Sequence, residues 1–278
     1  MVVANVGRGV SRAGLPPRKR DLIVAEWTDN LYWWKPKPRF GFIPRGDNLG
    51  DALSPFIVSR VMGQANPQST PRPSRRRMLA IGSILNHAAT GDVIWGSGVN
   101  GTKSREDHKF QQLDVRAVRG PKTQAYLAEL GIKSPDVFGD PGMLLSRFVK
   151  PMQARLDDEL YIPHFSQGKA LRSDMRTLLT HGSDFQAFVD AIAAARIVYS
   201  ASLHGLIIAE SYGIPAILTM TSTTENLFKY GDYYEGTGRS TFPVAHSMAE
   251  ARSLEPPPLP DVAAIQDRLL GAFPFDAW

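Results

Sequence analysis

Short unbroken apolar runs alternate along this chain with longer stretches in which apolar residues recur every three or four positions. The short runs predict strands at 22–27, 78–82, 93–96, 115–119 and 137–138, and again at 160–163, 197–200 and 216–219. The longer period predicts a helix over 51–62, with Leu53, Phe56, Ile57 and Val58 on one stripe. A second helix opens at Pro121, where a missing N–H costs least, and ends at Gly131. A third covers 183–195 with Phe185, Phe188, Val189 and Ile192 on one face, a fourth 206–212, and a last one about 261–272. The polar stretch 64–77 and the aromatic, charged stretch 226–238 read as loops, and Pro256-Pro257-Pro258 as a linker. Strand and helix taking turns predict an α/β fold with mostly parallel sheets and helices on both faces. The pattern restarts after a polar run at 146–158, so two α/β domains are expected, over 21–150 and 151–255, with an extension at 1–20 and a linker and helix at 256–278.

Composition narrows the classes. A chain of 278 residues holds one large or two smaller α/β domains, and 43% hydrophobic residues support a sizeable core. The sequence contains no cysteine, so disulfides and cysteine-based metal sites are excluded. No run approaches the roughly 20 apolar residues of a membrane span, and the basic first twenty residues lack a signal-peptide core, which points to a cytoplasmic location. The net charge of +5 favours an anionic partner. The basic runs at 8–20 and 72–77 do not interleave with aromatics as a strand-binding groove would, so nucleic acid is not predicted. Peripheral attachment to the acidic inner face of a membrane is a second use for that charge.

The richest stretch is I-V-Y-S-A-S-L-H-G-L-I-I-A-E-S-Y-G-I-P at 197–215. It puts His204 between a strand's carboxyl end and a helix's amino end, where open α/β sheets bind ligands and where helix amides favour anions. An imidazole there donates or accepts a proton near neutral pH, and Ser200 and Ser202 stand ready to orient it or to donate to an anion. Glu210 follows on the same helix, and His164 sits at another strand end. Gly96-Ser97-Gly98 either cradles a phosphate or makes a tight turn. Asn48 and Asp51 either cap a helix or hold sugar hydroxyls. Arg116 and Arg119, at a strand end before Gly120, are surface residues or a bidentate anion clamp. Neither a P-loop nor a metal-binding histidine spacing occurs, so no metal is expected.

Several segments occur together in order: N-L-G-D at 48–51, W-G-S-G at 95–98, V-R-A-V-R-G-P-K-T at 115–123, G-D-P-G at 139–142, I-P-H-F at 162–165, S-L-H-G-L-I-I-A-E-S-Y-G-I-P at 202–215 and F-K-Y-G-D-Y-Y at 228–234. Across roughly residues 40–240 the chain resembles the polysaccharide pyruvyl transferase family, nearest to the bacterial exopolysaccharide ketal-pyruvate transferases of the xanthan and succinoglycan type. The resemblance implies a GT-B-like pair of Rossmann-like domains with the active site in the cleft between them. It implies phosphoenolpyruvate as donor substrate with no further cofactor, a lipid-linked oligosaccharide acceptor, and a cyclic pyruvate ketal, typically 4,6-linked, with release of phosphate. His204 and Arg119 match the family's catalytic histidine and anion-binding arginine. The substrate-binding set implied around them is Arg116, Asn48, Asp51, Ser97, Gly98, Asp140, His164, Ser202, Leu203, Gly205, Glu210 and Lys229, with Asp140 or Glu210 as a second base. Some members carry arginine where this chain has Ser202, and Arg116, Lys229 or Arg239 are the residues available to replace its charge. A nucleotide-sugar glycosyltransferase and a non-catalytic polysaccharide-assembly protein are the competing readings.

Overall fold

The computed structural model describes residues 30–35, 48–65, 76–152, 156–167, 174–180, 182–221 and 226–277. The predicted strand at 22–27 and the extension at 1–20 lie outside them. The described strands form two sheets, and every pairing within them is parallel. The first sheet runs in chain order: β1 (Leu31–Tyr32), β2 (Met78–Leu79), β3 (Val93–Trp95) and β4 (Asp114–Ala117). A bridge between Val118 and Phe138 extends its far edge. The second sheet comprises β5 (Asp158–Ile162), β6 (Arg176–Thr177), β7 (Ala195–Ser200), β8 (Ala216–Thr219) and β9 (Val244–Ala245). Its order is β6-β5-β7-β8-β9, so the chain reverses its direction of travel between β5 and β7. Loops diverge at such a switch point and leave a crevice at the carboxyl ends of the strands. Ile162 pairs with Ser200 at that end.

Helices join the strands, as parallel pairing demands. Helix α1 (Leu49–Ala65) connects β1 to β2 and buries Leu53, Ile57 and Val58 completely. Helices α2 (Pro121–Glu129) and α3 (Leu145–Phe148) complete the first half. Gly131 takes a φ of +76° just after α2, a left-handed stop that glycine adopts without a Cβ penalty. The second half holds α4 (Phe185–Ala193), α5 (Leu203–Ser211), α6 (Phe228–Gly236), α7 (Met248–Ser253) and α8 (Val262–Gly271). Among the described residues no helix is long and apolar enough to cross a membrane.

Two sequence expectations change here. The stretch 226–238 is not a loop: residues 228–236 form α6, which buries Tyr230, Tyr233, Tyr234 and Asp232 completely. Its alternation of tyrosine, glycine and charge conceals the helical period, because Asp232 faces inward with the tyrosines. Helix α5 begins at Leu203, three residues earlier than its apolar run, because the Ser202 hydroxyl accepts from the Gly205 amide and caps it. His204 therefore belongs to the first helical turn.

The two sheets share one apolar cluster. It joins Met78, Val93 and Trp95 of the first sheet, Leu53 and Ile57 of α1, and Leu160, Ile162 and Val198 of the second. The chain also returns to its first half. Trp95 Nε1 donates to the Leu269 carbonyl in α8 at 2.9 Å, and Phe273 meets the Trp95 indole edge to face. Burial of this continuous core holds the carboxyl ends of both sheets beside one cavity.

Candidate functional site

The cavity measures about 350 Å³. The first half contributes residues that follow strand ends: Trp34 after β1, Ser83, Ile84, Asn86 and His87 after β2, and Asn100 and Lys103 after β3. Asn48 and Asp51 enter from the start of α1. The second half contributes His164 and Phe165 after β5, Ser202, Leu203 and His204 after β7, and Lys229 from α6. His164 and His204 thus flank the switch point of the second sheet. The His164 Nδ1 makes a 2.7 Å hydrogen bond with the Ser166 hydroxyl.

His204 is seated by its neighbours. A side chain on Gly50 would overlap the Nδ1, Cγ and Cε1 atoms of the imidazole, so only glycine lets α1 approach so closely. On the opposite edge Nε2 lies 3.8 Å from Asp140 Oδ2. Asp140 is held by its other oxygen, which accepts from the Gly142 amide at 2.8 Å and caps a short turn at Pro141–Leu144. The 3.8 Å separation is too long for a hydrogen bond, and both His204 Nε2 and Asp140 Oδ2 are buried without a hydrogen-bond partner among the described residues. Asp51 accepts from Asn48 Nδ2 at 2.6 Å.

Burial governs the protonation of this group. It lowers His204 to about 3, with Lys229 and Arg119 adding to the effect, so the imidazole of the free protein is neutral. The neutral imidazole keeps one donor and one acceptor nitrogen, and its burial makes protonation depend on a nearby negative charge such as Asp140. Burial raises Asp51 to about 7, against the Asn48 hydrogen bond and with help from Asp140. It raises Asp140 to about 6, opposed by the Gly142 amide and Arg119. A neutral imidazole thus shares the site with two carboxyls whose pKa values lie well above the usual carboxylate range.

The arginines are placed otherwise than the sequence suggests. Arg119 does not line the cavity but lies fully buried behind it. Its Nε donates to Asp232 Oδ2 at 3.0 Å, its Nη1 to the Ser83 hydroxyl at 2.6 Å and its Nη2 to the Val99 carbonyl at 2.7 Å. Asp232 also accepts from the Thr123 amide and hydroxyl, tying α2 to α6. Arg119 therefore reaches the cavity through Ser83 and through its charge. Gly98 is needed because a Cβ there would strike the Arg119 guanidinium. Ser97 donates to the Gly82 carbonyl at 3.0 Å, so W-G-S-G serves as a turn beneath Arg119.

Three further candidates stand away from the cavity. Arg116 pairs with Asp114 at 2.6 Å and with Asp276 near the carboxyl terminus at 2.8 Å. Glu210 receives both Nη atoms of Arg239 at 2.7 Å and the Tyr233 hydroxyl. Distance along α5 separates it from His204, and the same pair occupies Arg239. Of the three residues considered as replacements for an arginine at 202, only Lys229 lines the cavity. Ser202 has become the helix cap, and Gly205, whose Cβ would strike the Ser200 hydroxyl, packs beneath it. Trp34, Ser83, Asn86, His87, Asn100, Lys103 and Phe165 escaped the sequence reading. Their shared signal is position, within a few residues of a parallel strand's carboxyl end. His87 in particular follows the predicted strand at 78–82.

The geometry sets a frame for comparison with other proteins. A 175-residue segment, 58% of this chain, is 23% identical to the succinoglycan biosynthesis protein ExoV of Rhizobium meliloti (strain 1021) and covers 54% of that protein. Another of 174 residues, 55% of this chain, is 29% identical to the uncharacterized protein L143 of Acanthamoeba polyphaga mimivirus and covers 57% of it. The matched region spans about half the length of each relative. Residues 69–222 match the family described as polysaccharide pyruvyl transferase. That match takes in the turn beneath Arg119, Asp140 and the whole β7–His204–α5 unit, and the chain belongs to the polysaccharide pyruvyl transferase family.

Proposed function

We propose that this chain transfers the pyruvyl group of phosphoenolpyruvate to a sugar of a lipid-linked exopolysaccharide repeat unit, forming a cyclic, 4,6-linked pyruvate ketal and releasing phosphate. The observation that carries the reading is the neutral His204 at a cavity also lined by Asp51 and Lys229, with the Asp140 carboxylate 3.8 Å behind its Nε2. Addition of two hydroxyls to an enol phosphate needs a proton delivered to C3, a base for the attacking hydroxyl and cations for carboxylate and phosphate.

In this reading Asp51, on the cavity wall, supplies the proton to C3 and leaves positive charge at C2. His204 takes the proton of the first sugar hydroxyl as its oxygen bonds to C2, and Asp140 steadies the imidazolium so formed. The C2–O bond to phosphate then breaks, and the second hydroxyl closes the ring. Of the two hydroxyl protons, one balances the proton added at C3 and the other leaves on phosphate. Lys229, the amino end of α5 and the buried charge of Arg119 favour the anionic donor. The donor carries its own activation, so the reaction needs no redox or metal cofactor.

The two sheets suit a GT-B-like arrangement in which the cavity is the interdomain cleft. The enzyme works in the cytoplasm, at the inner face of the membrane, where its positive charge meets anionic lipids. The test is incubation with phosphoenolpyruvate and acceptor, following phosphate release and the mass of the acceptor. Phosphate release with a pyruvyl mass increment supports the reading. Release of a nucleoside diphosphate from a nucleotide sugar, without either, replaces it with glycosyl transfer.

A further inference from the structure

The two halves of the chain line the cavity unequally. The second half contributes Lys229, Ser202 and His204, a charge and a helix start. The first half contributes Asn86, His87, Asn100 and Lys103, and each half adds one aromatic side chain. Trp34, after β1, and Phe165, after β5, meet edge to face, their ring centroids 6.1 Å apart and their planes at 85°. Each is only partly buried, so ring surface remains on the cavity side.

We propose that this aromatic corner is the acceptor subsite, where the C–H face of a hexopyranose rests while Asn86, Asn100 and His87 read its hydroxyls. A pyranose has one face of axial C–H bonds and a rim of hydroxyl groups. It calls for a flat aromatic surface and for short side chains that donate and accept at once, as carboxamides do. The contribution of the second half, a helix start together with Lys229, suits a small anion instead. Dividing the cavity in this way sets the sugar hydroxyls against His204. Trp34 and Phe165 arise from different sheets, so the corner exists only when the two halves are joined. The proposal rests on the pyruvyl-transfer reading for the identity of the sugar as acceptor, and its test separates the two.

Saturation-transfer NMR on the full chain, with methyl β-D-glucopyranoside and methyl β-D-galactopyranoside as probes and uridine monophosphate as control, measures binding directly. Calorimetry measures phosphoenolpyruvate separately. For Trp34→Ala we expect hexoside binding weakened roughly tenfold, with phosphoenolpyruvate binding unchanged. Phe165→Ala should act in the same direction, and Trp34→Phe, which keeps a ring, should restore most of the binding. Hexoside binding equal to wild type in both alanine variants overturns the proposal. So does a rim that binds uridine monophosphate in preference to either hexoside. If wild-type protein releases no phosphate from phosphoenolpyruvate while Trp34→Ala still loses the hexoside, the transfer reading fails and the sugar subsite stands.

Discussion

The imidazole of His204 fills the space that a side chain on Gly50 would need. This contact joins N-L-G-D to S-L-H-G, segments more than 150 positions apart, and it explains the glycine of the first by the histidine of the second. Gly50→Ala should therefore yield a folded protein, since alanine favours a helix, with His204 displaced. We expect kcat to fall about 10²-fold or more, the scale of a lost acid–base group, with the far-ultraviolet circular dichroism preserved. Wild-type turnover would mean that His204 does not act from this seat.

Asp140 lies under His204 Nε2 and keeps its other oxygen on the Gly142 amide. Asp140→Asn retains that cap and removes the charge facing the imidazole. It should lower kcat about 10²–10⁴-fold while changing the KM for phosphoenolpyruvate little. His204→Gln should be comparably slow, and the double variant no slower than the worse single one. Additive losses in the double variant would separate the two residues.

Asp51 makes a prediction of opposite sign for stability and activity. Its folded pKa is raised from 3.8 to about 7, so between those values the folded chain binds more protons than the unfolded one. Its contribution to stability therefore declines as pH rises through that window and is least favourable above it, by at most about 4 kcal/mol. Asp51→Asn should raise Tm at pH 8, with the gain shrinking as pH falls toward 5. Activity of the wild type, which needs the protonated form as donor, should fall as pH rises past about 7, and the variant should be inactive. Thermal scans and pH–rate profiles of both proteins check each half.

His204 opposes that trend in stability. Its folded value of about 3 lies below the ordinary 6.5, so the unfolded chain binds more protons between them and stability rises with pH across that range. His204→Gln should flatten the acid side of the stability curve, which urea titrations at pH 4, 5 and 6 would reveal.

The pair Arg119–Asp232 is fully buried at 2.9 Å. Removing one partner leaves an uncompensated charge, so Arg119→Ala and Asp232→Ala should each cost about 3–5 kcal/mol. Glu210→Gln should lower stability through Arg239 and leave the KM for phosphoenolpyruvate unchanged, because the pair stands apart from the cavity. A raised KM with wild-type stability in Arg119→Lys would instead make Arg119 a direct ligand of the donor.

Most strands and the helices over 51–62, 183–195 and 261–272 were legible because their apolar spacing is local and their ends carry proline, glycine or a cap. Helix α6 was not, since its inward face includes Asp232, whose burial is tolerable only with Arg119 and Thr123 from the other half. His204, His164, Asn48 and Asp51, which line the cavity, were legible as candidates because strand ends and helix starts are visible in sequence. The true places of Arg116, Glu210 and Arg239 were not, because Arg116 also pairs with Asp276, 160 positions away, and Glu210 pairs with Arg239, 29 positions away.

The alternation of most strands and helices and the position of His204 near a helix start follow from the sequence alone, since each depends on neighbours a few residues apart. Which carboxyls keep their protons, which arginine is walled in and which lysine reaches the cavity were decided only by the tertiary structure. Desolvation and ion pairing act between residues that the chain brings together only when both sheets close on their shared core.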